Sequence, residues 1–206
     1  MRTTVRAGVF LLGGLLSGCA STGTINENYF SGDPKESGLI VIAYANTGRP
    51  RNMLATEVHF RSMDGKVIGS IRNPTFFGRY LLSGEKLPTP RPPDLIITAD
   101  DPMGGINVLR LPAGNYELYG YSADGETYVG RLTRTIHIDS TPFSEKFTVK
   151  PGSITYVGRI NFDYYPNVAP RFQTLNKAAE DIAVFKREFE QFRNAEVEVR
   201  EARAPR

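Results

Sequence analysis

The chain is poor in the residue types on which many catalytic and metal sites depend. It has one cysteine, two histidines and no tryptophan among its 206 residues. The single cysteine, Cys19, excludes an internal disulfide and a cysteine-rich metal site. The histidines, His59 and His137, have none of the paired spacings that zinc sites use. Both fall on the polar faces of predicted strands, where we expect them to face solvent.

The sequence also lacks the motifs of common enzymatic chemistry. It contains no Gly-x-Ser-x-Gly, Ser-x-x-Lys or phosphate-binding loop. The acidic pairs Asp100-Asp101 and Glu180-Asp181 fall in a predicted turn and at a predicted helix start, where carboxylates occur without catalysis. Asp124 lies in another turn, and together with Asp100 and Asp101 it lacks the EF-hand spacing for calcium. We therefore expect no enzyme, no cofactor and no metal.

Positive charge is scattered along the chain. The formal net charge of +3 includes Arg2 and Arg6 of the amino-terminal segment, so the remainder is close to neutral. No run of lysine and arginine of the kind that follows a phosphate backbone is present. Nucleic acid is therefore not an expected partner.

The first 18 residues have the composition of a secretory signal peptide. Arg2 and Arg6 are followed by the uncharged apolar run 7–16. A membrane-spanning helix needs about 20 apolar residues, so this run is too short to cross a bilayer. We expect residues 1–18 to be removed.

The end of this segment, Leu16-Ser17-Gly18-Cys19, resembles the lipobox of bacterial lipoproteins. The resemblance implies that Cys19 becomes the first residue and carries two or three acyl chains, which together give stable attachment to a bilayer. Ala20 replaces the aspartate that retains such proteins in the inner membrane of enteric-type bacteria. This implies the outer membrane, facing the periplasm, with the inner membrane as the alternative.

The polar residues 19–37 are predicted to form a flexible tether between the lipid and a domain at 38–193. The run 38–45, GLIVIAYA, is apolar throughout and predicts a strand that is buried on both faces. Residues 56–62 alternate, with Val58 and Phe60 on one face, and an Asp-Gly turn then leads into a second strand, which predicts a β-hairpin.

Two similar units follow, each consisting of a strand, a turn with Pro and Gly and a longer strand. The second unit predicts that Ile154, Tyr156, Gly158, Ile160 and Phe162 share one face, with Thr155, Arg159 and Asn161 on the other. The units resemble transthyretin-like and carboxypeptidase-regulatory-type domains. With many short strands between turns, we predict a mainly β fold, an antiparallel β-sandwich of Ig/transthyretin-like type.

Residues 176–193 predict one C-terminal amphipathic helix, with an apolar stripe at helical spacing and Asn176 as its N-cap. The stripe consists of Ala178, Ile182, Phe185, Phe189 and Phe192. We expect it to pack on the sandwich, over the strand at 38–45; the alternative is a partner or the membrane interface. Residues 194–206 are predicted to be a disordered tail.

The order of the last 60 residues, with Pro-Gly-x-Ile-x-Tyr-Val-Gly before a helix containing Phe-Lys-x-x-Phe, resembles a group of uncharacterised Gram-negative sandwich lipoproteins. The resemblance implies a non-catalytic binding or assembly module of the cell envelope, with an envelope protein as its partner. Residues 46–51 are loosely similar to the lipoprotein of type VI secretion, which makes a secretion apparatus one alternative. A hydrolase or carbohydrate-processing domain is another. The proline-rich stretch 84–93 predicts an exposed loop, either for binding or as a plain crossover.

Overall fold

The computed structural model describes residues 30, 32–48, 53–74, 104–129, 132–140, 142–164 and 171–200. Several predictions concern residues outside these ranges. They are the signal peptide, Cys19 with Leu16, Ser17 and Gly18 of its lipobox, most of the tether, the proline-rich stretch 84–93, and Asp100 with Asp101.

The described residues form ten strands and one α-helix. The strands are β1 Ser37–Gly48, β2 Met53–Ser62, β3 Ile68–Pro74, β4 Gly105–Pro112, β5 Gly114–Val129, β6 Leu132–Asp139, β7 Glu145–Val149, β8 Ile154–Tyr164, β9 Arg171–Leu175 and β10 Glu198–Val199. The helix, α1, is Ala178–Glu188, and a 3₁₀ turn follows at Glu190–Phe192. Within the described residues, no helix is long and apolar enough to cross a membrane.

The strands form two five-stranded sheets, so the described part of the fold is mainly β, with one helix. The first sheet has the order β10-β8-β1-β4, with β9 also paired to β8. The second sheet has the order β3-β2-β5-β6, with β7 also paired to β5. The second sheet is antiparallel, as predicted. In the first sheet the antiparallel prediction is wrong for two pairs, because β8 runs parallel to both β1 and β10.

Both sheets contribute to one hydrophobic core, so they pack face to face. The core contains residues of β1 to β5, β7 and β8: Ile40, Ile42, Tyr44, Val58, Phe60, Ile71, Leu109, Leu111, Tyr116, Leu118, Tyr121, Phe147, Val149, Val157 and Ile160. The alternating positions that the sequence predicted for β2, Val58 and Phe60, are both fully buried here.

The β2–β3 hairpin is confirmed. Gly65 has φ +73°, a conformation that glycine adopts without a steric penalty. Asp64 fixes the turn, because its Oδ1 accepts hydrogen bonds from the Ser62 hydroxyl at 2.6 Å and from the Lys66 N–H at 3.2 Å. The bond from Ser62 is the main reason that the pKa of Asp64 falls to about 2.

The two units with Pro and Gly are corners at which the chain changes sheets. Residues 112–114 lead from β4 in the first sheet to β5 in the second, and 150–153 lead from β7 back to β8. The start of β1 lies between them: the Gly152 N–H donates to the Ser37 carbonyl and the Ala113 N–H donates to the Glu36 carbonyl, both at 2.8 Å. Because β8 leaves a corner beside the start of β1, the two strands run parallel. We call this end of the fold the corner end.

Strand β8 contains a β-bulge. Tyr156 lies opposite Val41 of β1, whereas the next paired residue, Gly158, lies opposite Ile42. Val157 is therefore an extra residue, and the side chains beyond it no longer follow the alternation that precedes it.

The predicted faces of β8 are wrong because of this bulge. Ile154 and Tyr156 pack with the helix, whereas Ile160 belongs to the core between the sheets. Arg159 is buried beneath the helix, and Thr155 is buried as well. Alternation alone cannot detect an extra residue, since it assumes that the period of two is unbroken.

Gly158 allows a close approach of the neighbouring strand β9. It has φ +145°, and a Cβ atom at this position would lie 2.6 Å from Cγ2 of Thr174 in β9. We expect Gly158→Ala to lower the free energy of unfolding by about 1–3 kcal/mol through backbone strain and this clash. Urea unfolding measures the loss.

Gly120→Ala is the matched control for this substitution, because its Cβ would lie 3.5 Å from the His59 ring, an ordinary contact. Adding Thr174→Ser removes the clashing methyl group and keeps the hydroxyl, so it should recover the steric part of the loss and leave the part caused by φ. Equal stabilities for the Gly158 and Gly120 variants would contradict the prediction.

The second face of β1 is covered by the helix, as predicted. Leu39, Val41 and Ala43 form a second cluster with Phe185 and Phe189. The helix ends at Glu188, before the predicted end at residue 193, but the following turn carries Phe192 into the same cluster. The stripe is therefore covered by the protein's own sheet. The N-cap is Lys177 instead of Asn176, although Oδ1 of Asn176 accepts a hydrogen bond from the Ala178 N–H at 3.2 Å.

The prediction of a disordered tail is wrong for residues 194–200. Ala195 and Val197 pack against the second cluster, and Glu198 and Val199 form β10 on the edge of β8. The rest of the predicted tail, 201–206, lies outside the described residues.

Candidate functional site

A groove opens at one side of the fold, between β7 of the second sheet and the edge of the first sheet that β8, β9 and β10 form. We call it the side groove. Its volume is about 620 Å³, which is within the range of small-molecule and peptide sites. The lining residues that matter below are Glu145, Lys146, Lys150, Thr155, Glu198 and Arg200.

Two ion pairs cross the side groove and join β10 to the second sheet. Nζ of Lys150 lies 2.7 Å from Oε2 of Glu198, and Nη2 of Arg200 lies 3.0 Å from Oε2 of Glu145. Both glutamates of the groove are therefore neutralised within it. Among the described residues Lys146 forms no ion pair, so the lining carries an excess of positive charge.

Two polar atoms beside the side groove have no hydrogen-bond partner in the described part of the chain. They are Oγ1 of Thr155 and Nη1 of Arg200. Thr155 is only 5% exposed, and the Arg200 side chain is 15% exposed. A buried polar group without a partner costs about 1–3 kcal/mol, and native folds rarely retain one without a reason.

The edge of β8 beside the side groove is only partly covered. β10 pairs with Thr155 and Tyr156, and the pairing with β9 ends at Arg159. In the described residues, Val157 and Gly158 have no paired residue on this side. An uncovered strand edge presents backbone N–H and C=O groups and is the usual place for an added strand.

A second polar cluster lies beneath α1 and has a structural role. Asp181 is fully buried and accepts a hydrogen bond from the Tyr156 hydroxyl at 2.5 Å. Nε and Nη2 of Arg159 also donate to it, and Nη2 donates to Glu180 at 2.9 Å. Burial and the bond to Asp181 raise the pKa of Tyr156. Burial alone would lower the pKa of Arg159, but its bonds to Asp181 and Glu180 raise it. The cluster joins β8 to the first turn of α1.

The sequence predicted Asp181 as a carboxylate at a helix start, which is where it lies. Its pairing with a buried arginine was missed.

The histidines lie on the outer face of the second sheet. His137 is exposed, as predicted, whereas His59 is half-buried with its Nε2 3.1 Å from the Ser122 hydroxyl. These positions place no histidine in the side groove.

Asp124, considered above for calcium, is already paired. Its carboxylate lies 2.7 Å from Nδ1 of His137 and 2.8 Å from Nη2 of Arg72. The hydrogen bond to Asp124 raises the pKa of His137. Across the described residues, no group of three or more His, Cys, Asp or Glu side chains is arranged to hold a metal ion.

A further polar group borders the side groove on the outer face of the second sheet. Glu117 is buried and accepts hydrogen bonds from Nε of Arg61 at 2.6 Å and from the Ser144 hydroxyl at 2.5 Å. These bonds, that of Ser144 first, lower the pKa of Glu117. The Arg61 guanidinium also lies 5.0 Å from the centre of the Tyr119 ring. Glu117 also lies opposite Lys146 in the β5–β7 pairing, and the charge of Lys146 contributes to its lowered pKa.

No protein-family model matches the chain, and no curated protein matches it. Among solved structures, the chain is similar to a leucine-rich repeat protein from Bacteroides thetaiotaomicron, with 15% identity and a TM-score of 0.34. The similarity covers 64% of this chain, which spans 14% of the length of that protein. A likeness at this level carries no argument about fold or function.

Proposed function

We propose that the protein is a lipid-anchored, non-catalytic binding or assembly module of the bacterial cell envelope. Cys19 attaches it to the outer membrane, facing the periplasm, and an Ig/transthyretin-like sandwich makes the contact with an envelope protein. The anchor rests on the resemblance of Leu16-Ser17-Gly18-Cys19 to a lipobox behind a short apolar run. The two face-to-face sheets, with the side groove at one edge, support the binding role.

The observation that carries the proposal is where the chain enters the fold. Ser37 is buried between the two corners, and Asp33 begins a turn in which its carbonyl accepts a hydrogen bond from the Glu36 N–H at 2.9 Å. The segment 20–32 therefore separates Cys19 from the fold, and it reaches at most about 45 Å when fully extended. A lipid on Cys19 would hold the corner end of the fold close to the bilayer.

The side groove begins at that same end. Lys150 lies in its lining and also in the corner 150–153, where a Cβ on Gly38 of β1 would meet the Lys150 carbonyl at 2.4 Å. A partner bound in the groove would therefore lie near the membrane surface. This position fits a module that joins an envelope protein to the membrane.

Cys19→Ala tests the anchor. We expect the variant to lose all incorporation of radiolabelled palmitate and to leave the detergent-extracted membrane fraction, because the Cys19 thiol is the group that would take the lipid. Ser21→Ala, two residues away in the tether, is the control and should label normally. Palmitate labelling of the Cys19→Ala protein at the level of the unchanged chain would overturn the assignment.

A further inference from the structure

We propose that the side groove binds an extended acidic peptide, which adds as a strand along the edge of β8 and places a carboxylate on Lys150. In the free protein, Glu198 of β10 occupies that position. This inference deepens the proposed binding role and rests on it, but it is independent of lipidation.

The first support is the uncovered edge of β8. β10 covers Thr155 and Tyr156 with only two residues, and the Arg200 N–H donates to the Tyr156 carbonyl at 3.0 Å. Val157 and Gly158 continue the same edge without a paired residue in the described part of the chain. An added strand that replaces β10 would cover Thr155 to Val157, and Thr174 and Leu175 of β9 lie against Gly158 beyond it.

The second support is the chemistry of the lining. The unpartnered Oγ1 of Thr155 lies beside the groove and is only 5% exposed. Nη1 of Arg200, also unpartnered, is a donor that requires an acceptor. With Lys146 and Lys150 in the same lining, the groove offers donors and positive charge. Carboxylate and peptide carbonyl oxygens are the acceptors that suit this set.

The third support is that β10 already shows this mode of binding. The segment 196–199 reads Glu-Val-Glu-Val, and its strand runs parallel to β8 while Glu198 reaches across to Lys150 at 2.7 Å. The fold can therefore hold an acidic strand on this edge with a carboxylate paired to Lys150. The Glu198 and Lys150 side chains are 42% and 59% exposed, and pairs of this kind add little stability. Val199 is 42% exposed as well, so the two residues of β10 are themselves weakly held, while Val197 and Arg200 on either side are anchored by the second cluster and by Glu145.

The unpartnered atoms of Thr155 and Arg200 connect the replacement of β10 to peptide binding. These atoms are hidden from water while β10 is in place. An incoming strand that takes the place of Glu198 and Val199 brings acceptor oxygens to Thr155, and to Arg200, whose side chain stays in the groove through its ion pair with Glu145. The cost of leaving them unsatisfied in the free protein is then recovered in the complex.

The test uses the full chain in detergent micelles and the fluorescein-labelled peptide Glu-Val-Glu-Val, with Gln-Val-Gln-Val as the control peptide, followed by fluorescence anisotropy. We expect the acidic peptide to bind about tenfold or more tightly than the control, because a hydrogen bond to a charged group is being compared with one to a neutral group. Amide chemical shifts should change at 155–158 and 198–200. Equal binding of the two peptides, or no binding of either, would overturn the proposal.

Three variants separate this site from general charge attraction. Lys150→Gln and Thr155→Val should each weaken binding of the acidic peptide about tenfold, and Thr155→Val should not destabilise the fold, since it replaces an unpartnered hydroxyl. Glu198→Gln should tighten binding severalfold, because it removes the internal competitor. Lys66→Gln, in the β2–β3 turn, is the charge-matched control and should leave binding unchanged.

The Glu198 variant is decisive, since a purely structural role for β10 predicts no gain in affinity. If Glu198→Gln binds the peptide no better than the unchanged chain, the displacement of β10 is refuted. The peptide-binding assay does not depend on palmitate labelling, so a negative result in it would not contradict the lipid anchor at Cys19. Loss of labelling or of membrane attachment says nothing against the groove.

Discussion

Asp181→Ala is expected to lower the free energy of unfolding by about 3–5 kcal/mol, because it leaves a buried arginine without its countercharge. Arg159 is 4% exposed and donates to Asp181 through both Nε and Nη2. The Tyr156 hydroxyl loses its acceptor at the same time. Urea unfolding of the variant and of the unchanged chain gives the difference directly.

Glu180→Ala is the control for this prediction. Glu180 also binds Arg159, but its side chain is 56% exposed, so water replaces it and the loss should be much smaller. The double variant Arg159→Met with Asp181→Leu should recover the part of the loss that comes from the unpaired arginine, since a buried ion pair is often replaceable by apolar residues of similar size; the part that comes from the Tyr156 hydroxyl remains. A loss in Asp181→Ala no greater than that in Glu180→Ala would show that the pair is not buried in solution.

The ion pair also explains why α1 is held in one position. The apolar contacts of Phe185 and Phe189 with β1 are not directional, so they specify the position of the helix less closely than hydrogen bonds do. The bonds from Arg159 and Tyr156 to Asp181 fix its first turn against β8. Arg159 follows the bulge, so the fixed point of the helix depends on the extra residue in β8.

The features that were predicted correctly are those that local patterns encode. The β2–β3 hairpin follows from alternation on both sides of an Asp-Gly turn, and Gly65 does adopt the positive φ that such a turn requires. The helix stripe follows from a period of 3.6 residues. Because the strand at 38–45 is apolar on both faces, the sequence predicted that another element would cover its second face. The apolar stripe of α1 does so, since two apolar surfaces without other partners bury each other.

The features that were missed depend on contacts between distant segments. The faces of β8 are set by the bulge at Val157, and only the glycine that follows it gave a local sign of irregular backbone. The pairing of Arg159 with Asp181 joins residues of a strand and a helix that alternation and helical periodicity treat separately. The parallel direction of β8 is set by the corner at 150–153, whose change of sheet no local pattern shows.

The side groove was missed for the same reason, since it is formed by β7, β8 and a strand from the predicted tail. One signal was present. The sequence Glu-Val-Glu-Val at 196–199 alternates with a period of two, which predicts a strand, but its charge favoured disorder in the sequence-based interpretation. Val197 packs against the second cluster, and this apolar contact, invisible in the sequence alone, holds the segment on the fold.

Phe185→Ala is the other substitution for which a large effect is expected. Phe185 is fully buried, with its ring 5.3 Å from that of Phe189 and 5.6 Å from that of Phe192. Truncation leaves a cavity between α1 and the second face of β1 and should cost about 3–5 kcal/mol of unfolding free energy. Calorimetric or urea unfolding measures the loss.

Phe192→Ala is the matched control, because the same ring in the same cluster is only half-buried there and its removal leaves a space that water can fill. It should cost clearly less than Phe185→Ala. If the stripe instead served mainly to dock on a partner, neither variant would change the stability of the isolated chain, and binding to that partner would be lost. A large loss of unfolding free energy that is confined to Phe185→Ala would therefore show that the helix completes the core and does not serve mainly to bind a partner. It would also show that β1, apolar on both faces, depends on α1 to keep its second face out of water.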